Sequence, residues 1–231
     1  ASASIPPHRP VPLKRLRPLA AGKISLLKGS LTGAGLIGTA LVASWFFPPA
    51  FAASLAAYLV LTLCYSMALK RIPLMDVNVI GILFTLRVIA GMAVLELPVS
   101  LWLVSFSAAL FTSLALAKRH AELARLAASN STRVTGRGYQ VQDLSATLAF
   151  GVAYALSAAL IMLLYFNFEA NGKGLYQSVE WLYVIPAILL SWLSRVWLLA
   201  NRGTLEDDPV NFALRDASSW VHAAGFLFAW M

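Results

Sequence analysis

Seven apolar segments constrain this chain more than any other feature of its sequence. An α-helix rises about 1.5 Å per residue, so roughly 20 consecutive apolar residues cross the hydrocarbon core of a bilayer. The last segment is the weakest, because its first half is polar. The pattern predicts an all-α, polytopic transmembrane helix bundle of about seven helices. The segments lie at 29–47, 50–69, 74–96, 100–117, 144–165, 178–199 and 214–231.

The composition is that of a membrane protein. The 231 residues are 59% hydrophobic and only 12% charged, whereas soluble domains are about a quarter charged. A single cysteine, Cys64, excludes a disulfide framework and a cysteine-based metal site. The excess of 18 Lys and Arg over 10 Asp and Glu is typical of cytoplasmic loops and of a protein with an anionic ligand. We expect no nucleic acid partner.

Lysine and arginine are concentrated in alternate loops. Segment 1–28 and the loops 70–73, 118–143 and 200–215 are basic, whereas the intervening loops contain only Lys173. By the positive-inside rule, the N-terminal segment 1–28 is cytoplasmic and the transmembrane domain 29–231 follows it. The chain begins without methionine and without the pattern of a signal peptide. We interpret it as an internal segment of a longer protein or as a truncated reading frame.

The segment "LMDVNVIGILFTLRVIAGMAVL" contains two charges, Asp76 and Arg87. Eleven residues make almost three helical turns, so the two share a face but lie about 16 Å apart, too far to pair. A charge at membrane depth is costly and is usually functional. Three interpretations stay open. Arg87 pairs with another helix, with Glu122 and Asp216 as candidates; or the cytoplasmic end is displaced enough for its side chain to reach the membrane surface; or it lines a binding cavity.

A second set of charges lies in "ALAKRHAEL", where the fourth segment ends. Lys118 and Glu122 are four residues apart and Arg119 adds another base. They form either a surface ion pair between Lys118 and Glu122, with a topology signal, or a phosphate-binding group. We expect His120 to be an interfacial residue, because no second His or Cys stands at metal-ligand spacing.

A third set lies in "SRVWLLANRGTLEDDPVNFALRD", which contains Arg195 and the acidic run 206–208. Clustered carboxylates can hold Mg²⁺ through water and substrate phosphates. The alternative is a solvated acidic loop that caps a helix beginning at Pro209. All these charges fall on the predicted cytoplasmic side. Basic groups between apolar walls are suited to a ligand with a phosphate head and a lipid tail.

Several of these segments resemble UbiA-type intramembrane prenyltransferases. "KRLRPLAAGKIS" is similar to the loop after the family's first acidic motif, and "YSMALKRIPLMDVNVIGILFTLRVIAG" to the stretch between its fourth and fifth helices. "KRHAEL" takes the place of the second acidic motif, and "SRVWLLANRGTLEDDPVNFALRD" resembles the end of the eighth helix with the loop that follows. The resemblance covers nearly the whole chain, and within the family it is closest to the decaprenyl-phosphate phosphoribosyltransferase type.

The chain departs from the family pattern in two places. Family members have nine helices, so the seven predicted here would be the third to the ninth. The first acidic motif, which holds Mg²⁺ and diphosphate, would precede Ala1, and domain 29–231 is expected to be incomplete. In the second motif, Lys118, Arg119 and Glu122 replace the usual aspartates. Bases in that place suit an additional phosphate, as in a reaction of phosphoribosyl diphosphate with a polyprenyl phosphate.

The resemblance implies a transferase of a bacterial inner membrane, with a cytoplasmic active side, a polyprenyl diphosphate or polyprenyl phosphate substrate, and Mg²⁺ as cofactor. It would move a prenyl or phosphoribosyl group and release pyrophosphate. The expected catalytic residues are Lys118, Glu122 and Asp76, and Glu122 is also the expected metal ligand. The expected substrate-binding residues are Lys14, Arg17, Lys70, Arg71, Arg87, Arg119 and Arg195.

Other interpretations of the sequence stay open. The chain is alternatively a transporter of an anionic lipid or metabolite, with Arg87 and Arg195 lining the path, or an inactive fragment of the enzyme. A prenyltransferase with an aromatic acceptor is a third possibility. Release of pyrophosphate separates an enzyme from a transporter.

Overall fold

The computed structural model describes residues 25–128, 137–170, 179–205 and 209–230, and every regular element in these ranges is helical. Short 3-10 turns lie at Ser44–Phe46, Leu69–Arg71 and Val141–Asp143, and a π-helical turn lies at Phe166–Ala170. The α-helices are α1 (Leu26–Ala43), α2 (Pro49–Met67), α3 (Met75–Val94), α4 (Leu101–Ala128), α5 (Leu144–Tyr165), α6 (Val179–Leu182), α7 (Val184–Asn201), α8 (Pro209–Arg215) and α9 (Ala217–Trp230).

Six of the described helices are long and apolar enough to cross a membrane: α1 with the turn after it, α2, α3, α4, α5 and α7. The predicted all-α polytopic bundle is therefore confirmed. The seventh predicted segment, 214–231, is different, because α9 has only 14 residues and follows the short α8. The polar first half of that segment interrupts the helix at Asp216.

Helix α4 extends beyond its predicted end at residue 117 and continues to Ala128. Residues 118–128 are rich in Ala, Leu, Arg, Lys and Glu, which favour helix, and contain no Gly or Pro. The predicted loop 118–143 is thus wrong in its first part. As a consequence, Lys118, Arg119 and Glu122 project from a continuous helix instead of a loop.

Helix α4 is the centre of the bundle and packs against α3, α5 and α7. Two glycines allow neighbouring helices to pack closely, as small residues do in membrane bundles. A Cβ atom added to Gly81 of α3 would lie 2.1 Å from Thr112 Oγ1, and one added to Gly151 of α5 would lie 2.0 Å from the Trp197 ring of α7. Ser113 of α4 donates a hydrogen bond to the carbonyl of Gly151 and accepts one from Trp197 Nε1. The inner helices therefore form a rigid support for the charged residues at one end of α4.

Candidate functional site: a buried charged cluster

Asp76, in the first turn of α3, is the centre of a charged cluster. Its side chain is fully buried. Oδ1 accepts hydrogen bonds from the Tyr139 hydroxyl at 2.7 Å and the Val77 amide at 2.8 Å. Oδ2 accepts one from Arg119 Nε at 2.8 Å. A buried carboxylate is stable only when it is paired and hydrogen-bonded, and these donors meet that condition.

Arg119 of α4 bridges two carboxylates. Its side chain is 2% exposed; Nε contacts Asp76, and Nη1 donates to Glu122 Oε2 at 2.5 Å. Glu122 is one turn further along the same helix, so it meets Arg119 on the inner face. The ion pair expected between Lys118 and Glu122 is replaced by the one from Arg119. The half-buried Lys118 lies four residues before Glu122 on α4, so the two residues share a face of the helix and Lys118 borders the cluster.

Two further residues of the cluster, Arg137 and Tyr139, come from the segment before α5. Arg137 Nη1 lies 3.5 Å from Asp76 Oδ2, and this buried atom makes no hydrogen bond within the described part of the chain. Tyr139 accepts a hydrogen bond from the Leu74 amide at 2.7 Å and donates to Asp76. Sequence reasoning missed both residues. The sequence feature that could have indicated them is Gly138, which lies between them in the predicted loop 118–143.

A close contact holds this segment against the turn before α3. A Cβ atom added to Gly138 would lie 2.6 Å from the carbonyl oxygen of Arg71 and 2.7 Å from Pro73 Cδ, so only glycine fits without a shift. In the same turn Leu74 has a φ of 64°, a conformation that is rare for a non-glycine residue. The turn that contains half-buried Lys70 and exposed Arg71 is thereby fixed beside Arg137.

Burial raises the pKa of the Tyr139 phenol, and the hydrogen bond to Asp76 and the negative charge of that carboxylate raise it further. The phenol therefore stays protonated at neutral pH and keeps its hydrogen bond to Asp76. Within the cluster, two carboxylates face two guanidinium groups, and Lys70, Arg71 and Lys118 border it. The site as a whole has an excess of positive charge, which favours an anionic ligand.

Comparison with known proteins identifies the family. The sequence profile of the UbiA prenyltransferase family matches residues 9–215. The chain belongs to the UbiA prenyltransferase family. The resemblance to this family seen in the sequence is confirmed.

Relatives of this UbiA family member fall into two groups by coverage. A Sinorhizobium fredii protein, y4nM, is 44% identical over 91% of this chain and 41% of the relative. Nodulation protein NoeC of Azorhizobium caulinodans is 30% identical over 93% of this chain and 69% of the relative. Decaprenyl-phosphate phosphoribosyltransferase of Mycobacterium tuberculosis is 28% identical over 93% of this chain and 70% of the relative. The chain thus spans about two fifths of the length of y4nM and about seven tenths of the other two.

The sequence suggested that His120 of this UbiA chain is an interfacial residue, but in the structure it is buried between helices. It is 2% exposed, with Nδ1 at 3.0 Å from Thr147 Oγ1 and Nε2 at 3.1 Å from Asn201 Oδ1. The prediction is wrong because α4 is surrounded by other helices beyond residue 117, where a membrane exit was expected. His120 ties α4 to α5 and α7 behind Arg119.

Arg195 lies outside the charged cluster. Its Nη2 is 2.9 Å from Asp216 Oδ1 and its Nε is 3.3 Å from Oδ2, so the two residues form a double hydrogen bond between α7 and the start of α9. This hydrogen bond holds the pKa of Asp216 below its usual range. Asp216 also accepts from the Ser219 amide, which caps α9. The structure therefore gives Arg195 a partner at the α7–α9 contact and does not bring it to the predicted substrate site.

Arg87 also lies away from the cluster, and neither of its candidate partners binds it. Glu122 is paired with Arg119, and Asp216 with Arg195. Arg87 Nη2 instead donates to the Tyr58 hydroxyl of α2. The predicted acidic partners are therefore wrong, because the partner of Arg87 is a neutral phenol. The predicted site residues Lys14 and Arg17, and the acidic run 206–208, lie outside the described residues.

The two carboxylates of the cluster, Asp76 and Glu122, differ in whether they have an oxygen available for Mg²⁺. Asp76 is occupied by its hydrogen bonds to Arg119, Tyr139 and Val77. Glu122 is 22% exposed and its Oε2 accepts from Arg119, so its other oxygen is the fitting ligand atom. Among the described residues, no three His, Cys, Asp or Glu side chains lie together as a metal site. The described residues therefore offer Mg²⁺ one carboxylate oxygen, on Glu122, and an ion held there would need further ligands such as substrate phosphates.

Proposed function

We propose that this chain acts as a membrane-embedded transferase that moves a phosphoribosyl or prenyl group from a diphosphate donor, with release of pyrophosphate, and acts on a polyprenyl lipid. Membership of the UbiA family supports this reaction class. The phosphoribosyl version is favoured by the basic residues Lys118 and Arg119 in the second motif. It is also favoured by the similarity to a protein named decaprenyl-phosphate phosphoribosyltransferase.

One observation supports the anion site more than any other: the buried Nη1 of Arg137 beside Asp76 has no hydrogen-bond partner in the described chain. Its ion pair with Asp76 is long, at 3.5 Å, and the Arg137 side chain as a whole is 25% exposed. Its outer N–H groups can therefore meet a phosphate, and a guanidinium group is the side chain best matched to phosphate geometry. We therefore assign Arg137 to phosphate binding, together with the predicted Lys70, Arg71 and Lys118.

The residues of the cluster have distinct roles in the proposed reaction. Asp76 fixes the orientation of Arg119 and, through Tyr139, of the turn before α3. The fixed positive charges then stabilise the negative charge that grows on the leaving diphosphate, and they need no rearrangement to do so. In the phosphoribosyl version, an oxygen of the polyprenyl phosphate bonds to the anomeric carbon while the bond from that carbon to the diphosphate breaks.

Glu122 would hold Mg²⁺ together with phosphate oxygens of the substrate, and the ion would supply further neutralisation of the leaving group. Lys70 and Arg71 before α3, and Arg125 and Arg202 at the ends of α4 and α7, lie at the same end of the bundle as the cluster. By the positive-inside rule we assign that end to the cytoplasmic side of a bacterial inner membrane.

The experiment that tests the function uses purified protein in detergent or nanodiscs with Mg²⁺. Phosphoribosyl diphosphate is supplied with decaprenyl phosphate, and, in a parallel reaction, a prenyl diphosphate is supplied with an aromatic acceptor. We expect release of pyrophosphate and a new phosphoribosyl lipid in the first reaction only. Release in the second reaction alone would assign an aromatic prenyltransferase. Release in neither, with exchange of labelled lipid across a vesicle membrane, would assign a transporter.

A further inference from the structure

Arg87 lies in the middle of the membrane-spanning part of the bundle. Helix α3 runs from Met75 to Val94, so Arg87 is only about 4 Å past its midpoint along the axis. Its hydrogen-bond partner, Tyr58, is the central residue of α2, which runs from Pro49 to Met67. The guanidinium is thus held at mid-depth by Tyr58 and does not extend toward either membrane surface.

The contacts of Arg87 position its charge without neutralising it. One N–H donates to Tyr58, and the guanidinium carbon lies 5.2 Å from the centre of the Tyr58 ring and 4.7 Å from that of Phe84. All of these groups are neutral, and no described carboxylate forms an ion pair with Arg87. Arginine has further N–H groups to donate, and the hydroxyl of Tyr58, which accepts from Arg87, keeps its own proton to donate.

A groove of about 330 Å³ lies between α2 and α3 beside this pair. Its lining includes the polar side chains of Arg87 and Tyr58 and the small residues Ser54, Ala90 and Gly91. A Cβ atom added to Gly91 would meet nothing within 4 Å. Glycine weakens a helix interior, and packing within the described chain does not require it here. Small residues on a membrane helix are typical of a surface where another helix approaches closely.

We propose that a transmembrane helix carrying one Asp or Glu at mid-membrane depth docks in this groove and pairs its carboxylate with Arg87. A lipid phosphate is a poorer match, because the membrane surface lies about 15 Å from the bilayer middle, where Tyr58 holds the guanidinium. A second copy of this chain is also a poorer match. Asp76, Glu122 and Asp216 are already paired, and none lies at mid-depth on a described helix. The docking site is independent of the proposed transferase reaction.

The docked helix would also cover α2, whose described residues are nowhere buried. Helix α2 contacts α3 on one side, while Val60 and Leu63 are about three fifths exposed. Pairing Arg87 with a carboxylate at this depth removes the large free-energy cost of an unpaired charge in the membrane. It also fixes the register of the two helices, since a shift by one turn would separate the charges. The partner is therefore recognised by one carboxylate in an otherwise apolar helix.

The test places the photoreactive residue p-benzoylphenylalanine at Phe51, in the groove, and irradiates the protein in native membranes. We expect mass spectrometry to identify a cross-linked peptide from an apolar helix with one Asp or Glu. Arg87→Leu and Gly91→Leu should each lower the cross-link yield by about tenfold. A Cβ atom at position 91 meets nothing within 4 Å, so Gly91→Leu places its side chain in the groove. Gly38→Leu on α1, where an added Cβ also meets nothing within 4 Å, is the matched control and should leave the yield unchanged.

A charge swap tests the ion pair: Arg87→Glu is combined with a change of the partner's carboxylate to arginine. Restoration of the cross-link in this pair would establish the ion pair. The proposal is overturned by a lipid adduct, by a cross-link to a helix of this protein itself, by a peptide without a carboxylate, or by the absence of any helix adduct. It is equally overturned if Gly91→Leu and the control give the same yield as the unchanged protein. None of these readouts depends on transferase activity.

Discussion

Asp76 shows how a single buried carboxylate organises this site. Its two oxygens accept hydrogen bonds from three different parts of the chain: α3 itself, α4 and the segment before α5. Removing one donor leaves the others to hold a charge that water cannot reach, so each donor contributes to stability as well as to geometry. Tyr139 is the donor that can be removed with the smallest change of shape.

We expect Tyr139→Phe to lower the free energy of unfolding by about 1–3 kcal/mol, because Asp76 loses a donor and the Leu74 amide loses its acceptor. Thermal unfolding in detergent measures the change. Tyr154→Phe is the matched control: Tyr154 is exposed and its hydrogen bond to Asn78 is long, at 3.5 Å, so we expect a change below about 0.5 kcal/mol. Equal effects of the two substitutions would contradict the role of Tyr139.

The raised pKa of Tyr139 adds a pH dependence. A group whose pKa is raised by folding contributes stability below its ordinary pKa, here about 10, and this stability is lost as pH rises above it. The unchanged protein should therefore lose more stability above about pH 10 than Tyr139→Phe does. The same loss in both proteins would mean that the phenol of Tyr139 is not stabilised in its protonated form.

At the scale of helices, close packing around α4 determines whether the cluster is held in place. Gly151 brings α5 against the Trp197 ring of α7, and Ser113 of α4 links both. These contacts lie directly below His120, which ties the same three helices together. Separation of α5 from α7 would therefore also move the end of α4 that contains Arg119.

We expect Gly151→Ala to destabilise the protein by about 1–3 kcal/mol, because the added methyl group overlaps the Trp197 ring and forces helices apart. Gly35→Ala on α1 is the control, since an added Cβ meets nothing within 4 Å there. It should be neutral or stabilising by up to about 1 kcal/mol, as alanine favours helix. Thermal unfolding of both variants measures the change in stability. If Gly151→Ala left the stability unchanged, the α5–α7 contact would be loose.

At the scale of the whole molecule, the sequence predicted the bundle well because apolar length alone identifies membrane helices. It also pointed to Asp76, Arg119 and Glu122, since charges beside apolar segments are rare and easily noticed. Arg137 and Tyr139 could not be found in this way. They follow a polar stretch without periodicity, and they reach Asp76 only because Gly138 packs against Pro73, a contact between residues distant in the sequence.

The charges that sequence reasoning misplaced share another cause. Arg87 and Arg195 were predicted to bind substrate, Arg87 because a charge at membrane depth is usually functional. In the structure, Tyr58 and Asp216 engage them through helix packing. A neutral phenol gives no charge signal in a sequence. The transporter alternative needs both arginines to line one path, and no described contact between them favours it.

The proposed site depends on Arg137 as a phosphate-binding residue, and steady-state kinetics of Arg137→Gln test this most directly. Pyrophosphate release from phosphoribosyl diphosphate with decaprenyl phosphate should show kcat/KM reduced about 100-fold. Arg202→Gln removes the same charge from the exposed end of α7 and should keep kcat/KM within about twofold of the unchanged protein. An Arg137→Gln protein that is folded and as active as the Arg202→Gln control would contradict the proposed site.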